Sequence, residues 1–155
     1  NLLNGFITGG NDLMSVILLL SVVWGLSAVT EDLGFSNFVT AHSKWIPHMF
    51  ITPFMFIFGA AISYFIGSAW GTWGILMPLG VSLASSADLS LPLIIGAVFA
   101  SGSFGAFSSP LSDDTNTIAK ILDLSVIEYA KYKLKPALIA AGITVAFYLV
   151  VSFLF

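Results

Sequence analysis

The chain contains no cysteine and no arginine. Without cysteine there is no disulfide, no thiolate metal site and no thiol nucleophile, and cysteine usage cannot point to a compartment. Only 8% of the residues are charged, with five basic residues against eight acidic ones and a net charge of -3. That balance supplies no basic face, so nucleic acid is not expected as a partner. Histidine is limited to His42 and His48, far in sequence from the serines Ser101, Ser103, Ser108 and Ser109. A serine nucleophile needs a base within hydrogen-bond reach, so an intramembrane hydrolase is not expected. The first residue is Asn1, and no basic stretch precedes the apolar run 13–29. A cleaved signal peptide is therefore not expected, and the chain reads as a piece of a longer protein.

What the chain has in excess is apolar side chains, 57% of the sequence, with a mean hydropathy of +0.99. This composition predicts an all-α membrane protein with lipid as its surroundings. A spanning helix needs about 20 residues for a hydrocarbon core of about 30 Å. The expected layout is a span over 13–29, a hairpin over 47–87 with its tip at 67–74, a broken helix over 91–132 and a last span over 136–155. Residues 1–11 carry Gly5, Gly9 and Gly10 and read as the end of a loop or half-helix. Residues 34–46 read as a polar connection with His42, Lys44 and Trp45. Pro136 is placed as a helix start. Lys131, Lys133 and Lys135 cluster in one short connection, which predicts the cytoplasmic side. Trp45, Tyr129 and Tyr132 fit an interfacial aromatic belt. A multi-pass protein of the cell (inner) membrane is the expected localisation.

Two polar interruptions break the apolar pattern. The first is Gly67-Ser68-Ala69-Trp70-Gly71-Thr72-Trp73-Gly74. As the tip of a re-entrant hairpin it would free backbone carbonyls, which must be covered by protein or line a wet cavity. Those carbonyls and the hydroxyls of Ser68 and Thr72 are hard oxygen donors suited to a small cation. Equally, Gly67-x-x-x-Gly71 is a close-packing motif between helices. The second interruption is 101–117, which holds Ser108, Ser109, Pro110, Asp113, Asp114, Thr115, Asn116 and Thr117. Proline breaks a helix, and a carboxylate at membrane depth is expensive enough to suggest a function. The alternative is a solvated loop in which Asp113 is the N-cap of a helix over 114–132. Two broken segments in one part of a chain point to a transporter's binding site.

These residues resemble a known family. Ile66-Gly67-Ser68-Ala69-Trp70-Gly71-Thr72-Trp73-Gly74-Ile75-Leu76-Met77-Pro78-Leu79 is similar to the "GTSWGT-GILLP" segment of the NhaC-type Na+/H+ antiporter family. The stretch from Gly96-Ala97-Val98 through Ser108-Ser109-Pro110-Leu111-Ser112-Asp113-Asp114-Thr115 resembles its "GAVF-G-GDHCSPISDTT" segment. Asp32-Leu33-Gly34 resembles a further motif after the first span. The resemblance implies the C-terminal half of an inverted-repeat secondary transporter of the ion-transporter superfamily, in which hairpin tips and helix breaks bind Na+ and substrate. Two departures stand out. Ala106-Phe107-Ser108 replaces the family's Asp-His-Cys, and Asp113-Asp114-Thr115 replaces Asp-Thr-Thr.

The sequence thus predicts cation-coupled antiport, with Na+ or H+ as the coupling ion and no other cofactor. Gly67, Ser68, Thr72, Asp113, Asp114, Thr115 and Asn116 are expected to form or flank the ion site, with a Na+ site near Asp113. Ser108, Ser109 and Thr117 are expected to face the substrate. The departures leave open a Na+- or H+-coupled carrier of a small organic acid or amino acid. A channel or a structural membrane subunit are the readings of another class. The N-terminal half of the same transporter is the expected partner, with a homodimer as a further possibility.

Overall fold

In a computed structural model the chain folds as an all-helical protein, and the structure describes residues 2–34, 37–38 and 47–154. Among the described residues the helices run in the order α1 (Leu2–Asp32), α2 (His48–Ile66), α3 (Ala69–Ser86), α4 (Leu91–Ser108), α5 (Asp113–Ile121) and α6 (Val126–Leu154). No strand occurs among the described residues. The physical reason is the solvent: in lipid a backbone must satisfy its hydrogen bonds within the segment, which a helix does. His48–Ile66, Leu91–Ile121 and Val126–Leu154 are each long and apolar enough to cross a membrane. At 1.5 Å per residue, the 29 residues of α6 reach roughly 43 Å, more than a hydrocarbon core of about 30 Å.

Several expected boundaries differ. Residues 2–11 continue the helix of the first apolar run instead of ending a separate loop or half-helix. The glycines there meet nothing within 4 Å, so they weaken the helix without breaking it. The first polar interruption is narrower than the 67–74 tip: only Gly67 and Ser68 leave the helix. The helix after the second break stops at Ile121, where Asp123 takes a left-handed φ of 54° and the Leu124 N–H donates to Ala119 O at 2.9 Å. That bond closes a Schellman-type end. The last helix then begins at Val126, and Pro136 sits inside it. Pro136 removes the bond to the carbonyl of Tyr132, a residue 83% exposed, where the missing donor is least damaging. His42, Lys44 and Trp45 lie outside the described residues.

Helices α2, α3 and α4 form the centre. Ile51, Met55, Leu76, Ala84, Ile94 and Val98 make the main apolar cluster, and Phe56, Ala97 and Tyr148 make a second one where α2, α4 and α6 meet. The contacts fix direction. Gly59 meets Ser101, Ser63 meets Gly102 and Gly105, and Gly67 meets Leu111, so α2 and α4 run parallel. Trp73 meets Phe99 and Gly102 while Gly80 meets Ile94 and Val98, so α3 runs antiparallel to α4. Small residues let these backbones approach closely, the usual driver of helix association in lipid. The outer face of α6, with Ile139, Ile143, Phe147, Val150 and Phe153, is exposed and apolar, a face for lipid or neighbouring protein.

Candidate functional site

The two sequence interruptions become two chain turns at one level of the bundle. At the first, Gly67 ends α2 with φ 74°, and its N–H donates to Ser63 O at 2.8 Å. Ser68 immediately caps α3, its Oγ accepting from the Gly71 N–H at 3.3 Å. A stop residue followed directly by a start residue is what turns the chain without a loop. Thr72 is buried and donates to Ser68 O at 2.9 Å.

At the second turn Pro110 prevents α4 from continuing, and Ser109 before it is extended at φ -71°, ψ 137°. The helix resumes at Asp113, with Ser112 as its N-cap: Ser112 Oγ accepts from the Thr115 N–H at 3.2 Å. Asp113 is therefore not the cap, as the loop reading had it. It stands with Asp114 in the first turn, where negative charge suits the positive end of the helix dipole. Asn116 Nδ2 donates to Pro110 O at 3.0 Å and to Ser112 O at 2.9 Å, which fixes the turn from inside.

The two turns touch. A Cβ on Gly67 would lie 2.6 Å from the Leu111 carbonyl carbon and 2.8 Å from its oxygen, so only glycine fits there. Ser109 Oγ donates to Tyr64 O at 2.6 Å and accepts from the Leu111 N–H at 3.0 Å. Two helix C-termini and two helix N-termini thus meet in one place.

The predicted site residues divide into groups. Gly67, Ser68 and Thr72 lie on the first turn, and Thr115 and Asn116 on the second. Asp113 and Asp114 are exposed on the outer side of α5. Thr117 is also exposed. Ser108 and Ser109 are fully buried, and both hydroxyls donate to carbonyls, Ser108 to Phe104 O at 2.6 Å. In this conformation neither faces an open space. Trp73 packs: its ring stacks on Phe99 at 4.0 Å, and Nε1 donates to Phe99 O at 3.1 Å. The serine hydroxyls of α4 serve the helix too, Ser101 donating to Val98 O and Ser103 to Phe99 O. Among the described residues no three His, Cys, Asp or Glu side chains gather as a metal site. The groups gathered at the two turns are hydroxyl and carbonyl oxygens, a hard donor set unsuited to a transition metal.

One residue beside the second turn was not among those expected from the sequence. Lys133 is only 8% exposed, and its Nζ donates to Thr115 Oγ1 at 3.1 Å. The ammonium lies 4.6 Å from the Phe107 ring centroid and 5.0 Å from that of Tyr129. These are cation–π distances. The signal for it was helical spacing. Ala130, Lys133 and Ala137 recur at three and four residues and form the buried stripe of α6, while Lys131 and Lys135 share the exposed side.

The model of the Na+/H+ antiporter family matches residues 2–153. The chain belongs to the Na+/H+ antiporter family. That is a family of transporters, and the helices long enough to span make this member a membrane protein. The antiporter-family chain is also similar to an uncharacterized protein of Haemophilus influenzae, with 29% identity over 151 residues. The match covers 96% of this chain but 29% of that relative, so the chain spans under a third of its length. No solved structure matches the chain.

Proposed function

We propose that this chain is the part of a cation-coupled antiporter that carries the ion site, with Na+ exchanged for H+ by alternating access. The observation carrying the reading is the contact between Gly67 and Leu111, which joins the two helix turns. Helix-end carbonyls and buried hydroxyls, now bonded to one another, collect there beside two carboxylates, and a transporter of inverted repeats uses such broken helices at its binding site. Gly67, Ser68, Thr72, Thr115 and Asn116 would supply oxygen ligands. Asp113 or Asp114 would supply the charge, after a movement that turns the first turn of α5 inward or brings the rest of the protein against it. A carboxylate in such a site binds either a proton or a sodium ion, which is the chemistry of exchange. The reading extends to an NhaC-type member, the C-terminal repeat of a longer chain in the cell (inner) membrane, with the N-terminal half as its partner.

The departures at Ala106, Phe107 and Ser108 favour a second reading, a Na+- or H+-coupled carrier of a small organic acid or amino acid. Thermal stabilisation of the full-length protein, screened against Na+, Li+ and organic acids, separates the two. For the ion site itself, Asp113→Asn in the full-length protein in liposomes should leave folding intact. Sodium-dependent transport should fall by roughly tenfold or more, the scale of a charged interaction worth about 1.5–3 kcal/mol. Unchanged sodium dependence in that variant would remove Asp113 from the site.

A further inference from the structure

The hydroxyls best placed to hold a cation at the second turn already hold one. Lys133 Nζ donates to Thr115 Oγ1 at 3.1 Å, and Thr115 Oγ1 lies 2.7 Å from Ser112 Oγ. Ser112 Oγ donates onward to Ser109 O at 3.1 Å, and Ser109 Oγ reaches Tyr64 O at 2.6 Å. One hydrogen-bonded chain therefore runs from α6 through α5 and the break of α4 to the end of α2. A charge buried this far is expensive unless it is compensated. Among the described residues no carboxylate pairs with Lys133 within salt-bridge distance. Its compensation is Thr115, the faces of Phe107 and Tyr129, and the charge of Asp114 acting from further off. Phe107 stands where the resembling family carries histidine. A ring face favours a cation beside it, whereas a protonated imidazole would repel one.

We propose that Lys133 is the resident cation of the broken-helix site and that its ammonium and the transported cation occupy the Ser112–Thr115 hydroxyl pair in turn. The inference rests on the ion-site reading above. The ammonium holds the break closed and satisfied when no ion is bound. Entry of Na+ displaces it from Thr115, because two unit charges cannot share one hydroxyl oxygen in a low-dielectric site. Displacement releases the hydrogen-bonded chain at its α6 end. Ion binding is thereby linked to the contact between α5 and α6, and linkage of this kind is reciprocal. Lys133 acts in this scheme as a positioning and competing residue.

The test uses the full-length protein and limited acylation with an amine-reactive ester, read by peptide mass spectrometry. Labelling is compared in Na+ and in choline at equal ionic strength, with Lys131 and Lys135 as internal references. Na+ should raise Lys133 labelling several-fold relative to both references. A lysine that only anchors α6 would give the same ratio in both salts, and that result overturns the proposal. Lys133→Gln should lower the Na+ concentration for half-maximal transport by about tenfold, within the usual range of coupling between sites. If that variant does not fold, the labelling of the unaltered protein decides. A wild-type protein that neither transports Na+ nor is stabilised by it removes the ion-site reading and this inference with it. A wild-type protein that responds to Na+ with unchanged Lys133 labelling removes this inference alone.

Discussion

At the scale of single residues, glycine carries the geometry. Gly105 packs on the backbone of Ser63, and Gly67 combines a left-handed φ of 74° with contact to Leu111. Gly142 meets nothing within 4 Å. Gly67→Ala should therefore combine the strain of a left-handed residue, about 1–2 kcal/mol, with an overpacking cost of about 1–3 kcal/mol. Gly142→Ala should be neutral or slightly stabilising, since alanine favours helix by up to about 1 kcal/mol. Thermal melting of both variants in detergent checks the contrast, and equal melting temperatures would contradict it. Which glycines matter was only half legible. The pattern Gly67-x-x-x-Gly71 suggested packing, but only Gly67 makes a forced approach, because the neighbour it needs, Leu111, is 44 positions away in sequence. Lys133 shows the same limit from another side. Its charge suggested a cytoplasmic loop, while its place in the stripe with Ala130 and Ala137 put it inside.

At the scale of elements, the breaks are specified by adjacent stop and start signals. Gly67 then Ser68 makes one turn, and Ser109-Pro110 then Ser112 makes the other. Proline, glycine and serine make such signals readable in sequence, and both breaks were located that way. The identity of the second cap was not. Ser112 and Asp113 are both good N-caps, and the choice falls to Ser112 because the Asn116 N–H already bonds to Ser112 O at 3.0 Å. Ser112→Ala should destabilise α5 by about 1 kcal/mol. Amide exchange at the start of α5, followed by mass spectrometry, should then quicken by roughly fivefold, the factor for about 1 kcal/mol of local opening. Unchanged exchange there would mean that Ser112 does not cap the helix. Pro136 was misplaced for a different reason. Proline at a helix start and proline within a membrane helix carry the same local sequence, and only the continuous helix from Val126 tells them apart.

At the scale of the whole molecule, apolar composition alone made a helical membrane protein legible, because lipid leaves few other structures open to this chain. The parallel course of α2 and α4 was not legible, since it depends on which small residues face each other across about 40 positions of sequence. Orientation can be tested at this scale. Lys131 and Lys135 are exposed at the start of α6 beside Tyr132, which predicts that this end lies in the cytoplasm. In a cysteine-free background, Tyr132→Cys should react with a membrane-impermeant maleimide in inverted vesicles and not in intact cells. The reverse pattern would invert the topology. The meeting of four helix ends has an electrostatic consequence. Each end carries roughly half an elementary charge, positive at an N-terminus and negative at a C-terminus. Two ends of each sign sum to no net charge, so the backbone brings no monopole to this point. The backbone therefore attracts neither anions nor cations from afar. If the proposed ion site holds, the sign of the ion that enters is left to charged side chains such as Asp113, Asp114 and Lys133, and changing one of them would change selectivity without rebuilding the fold.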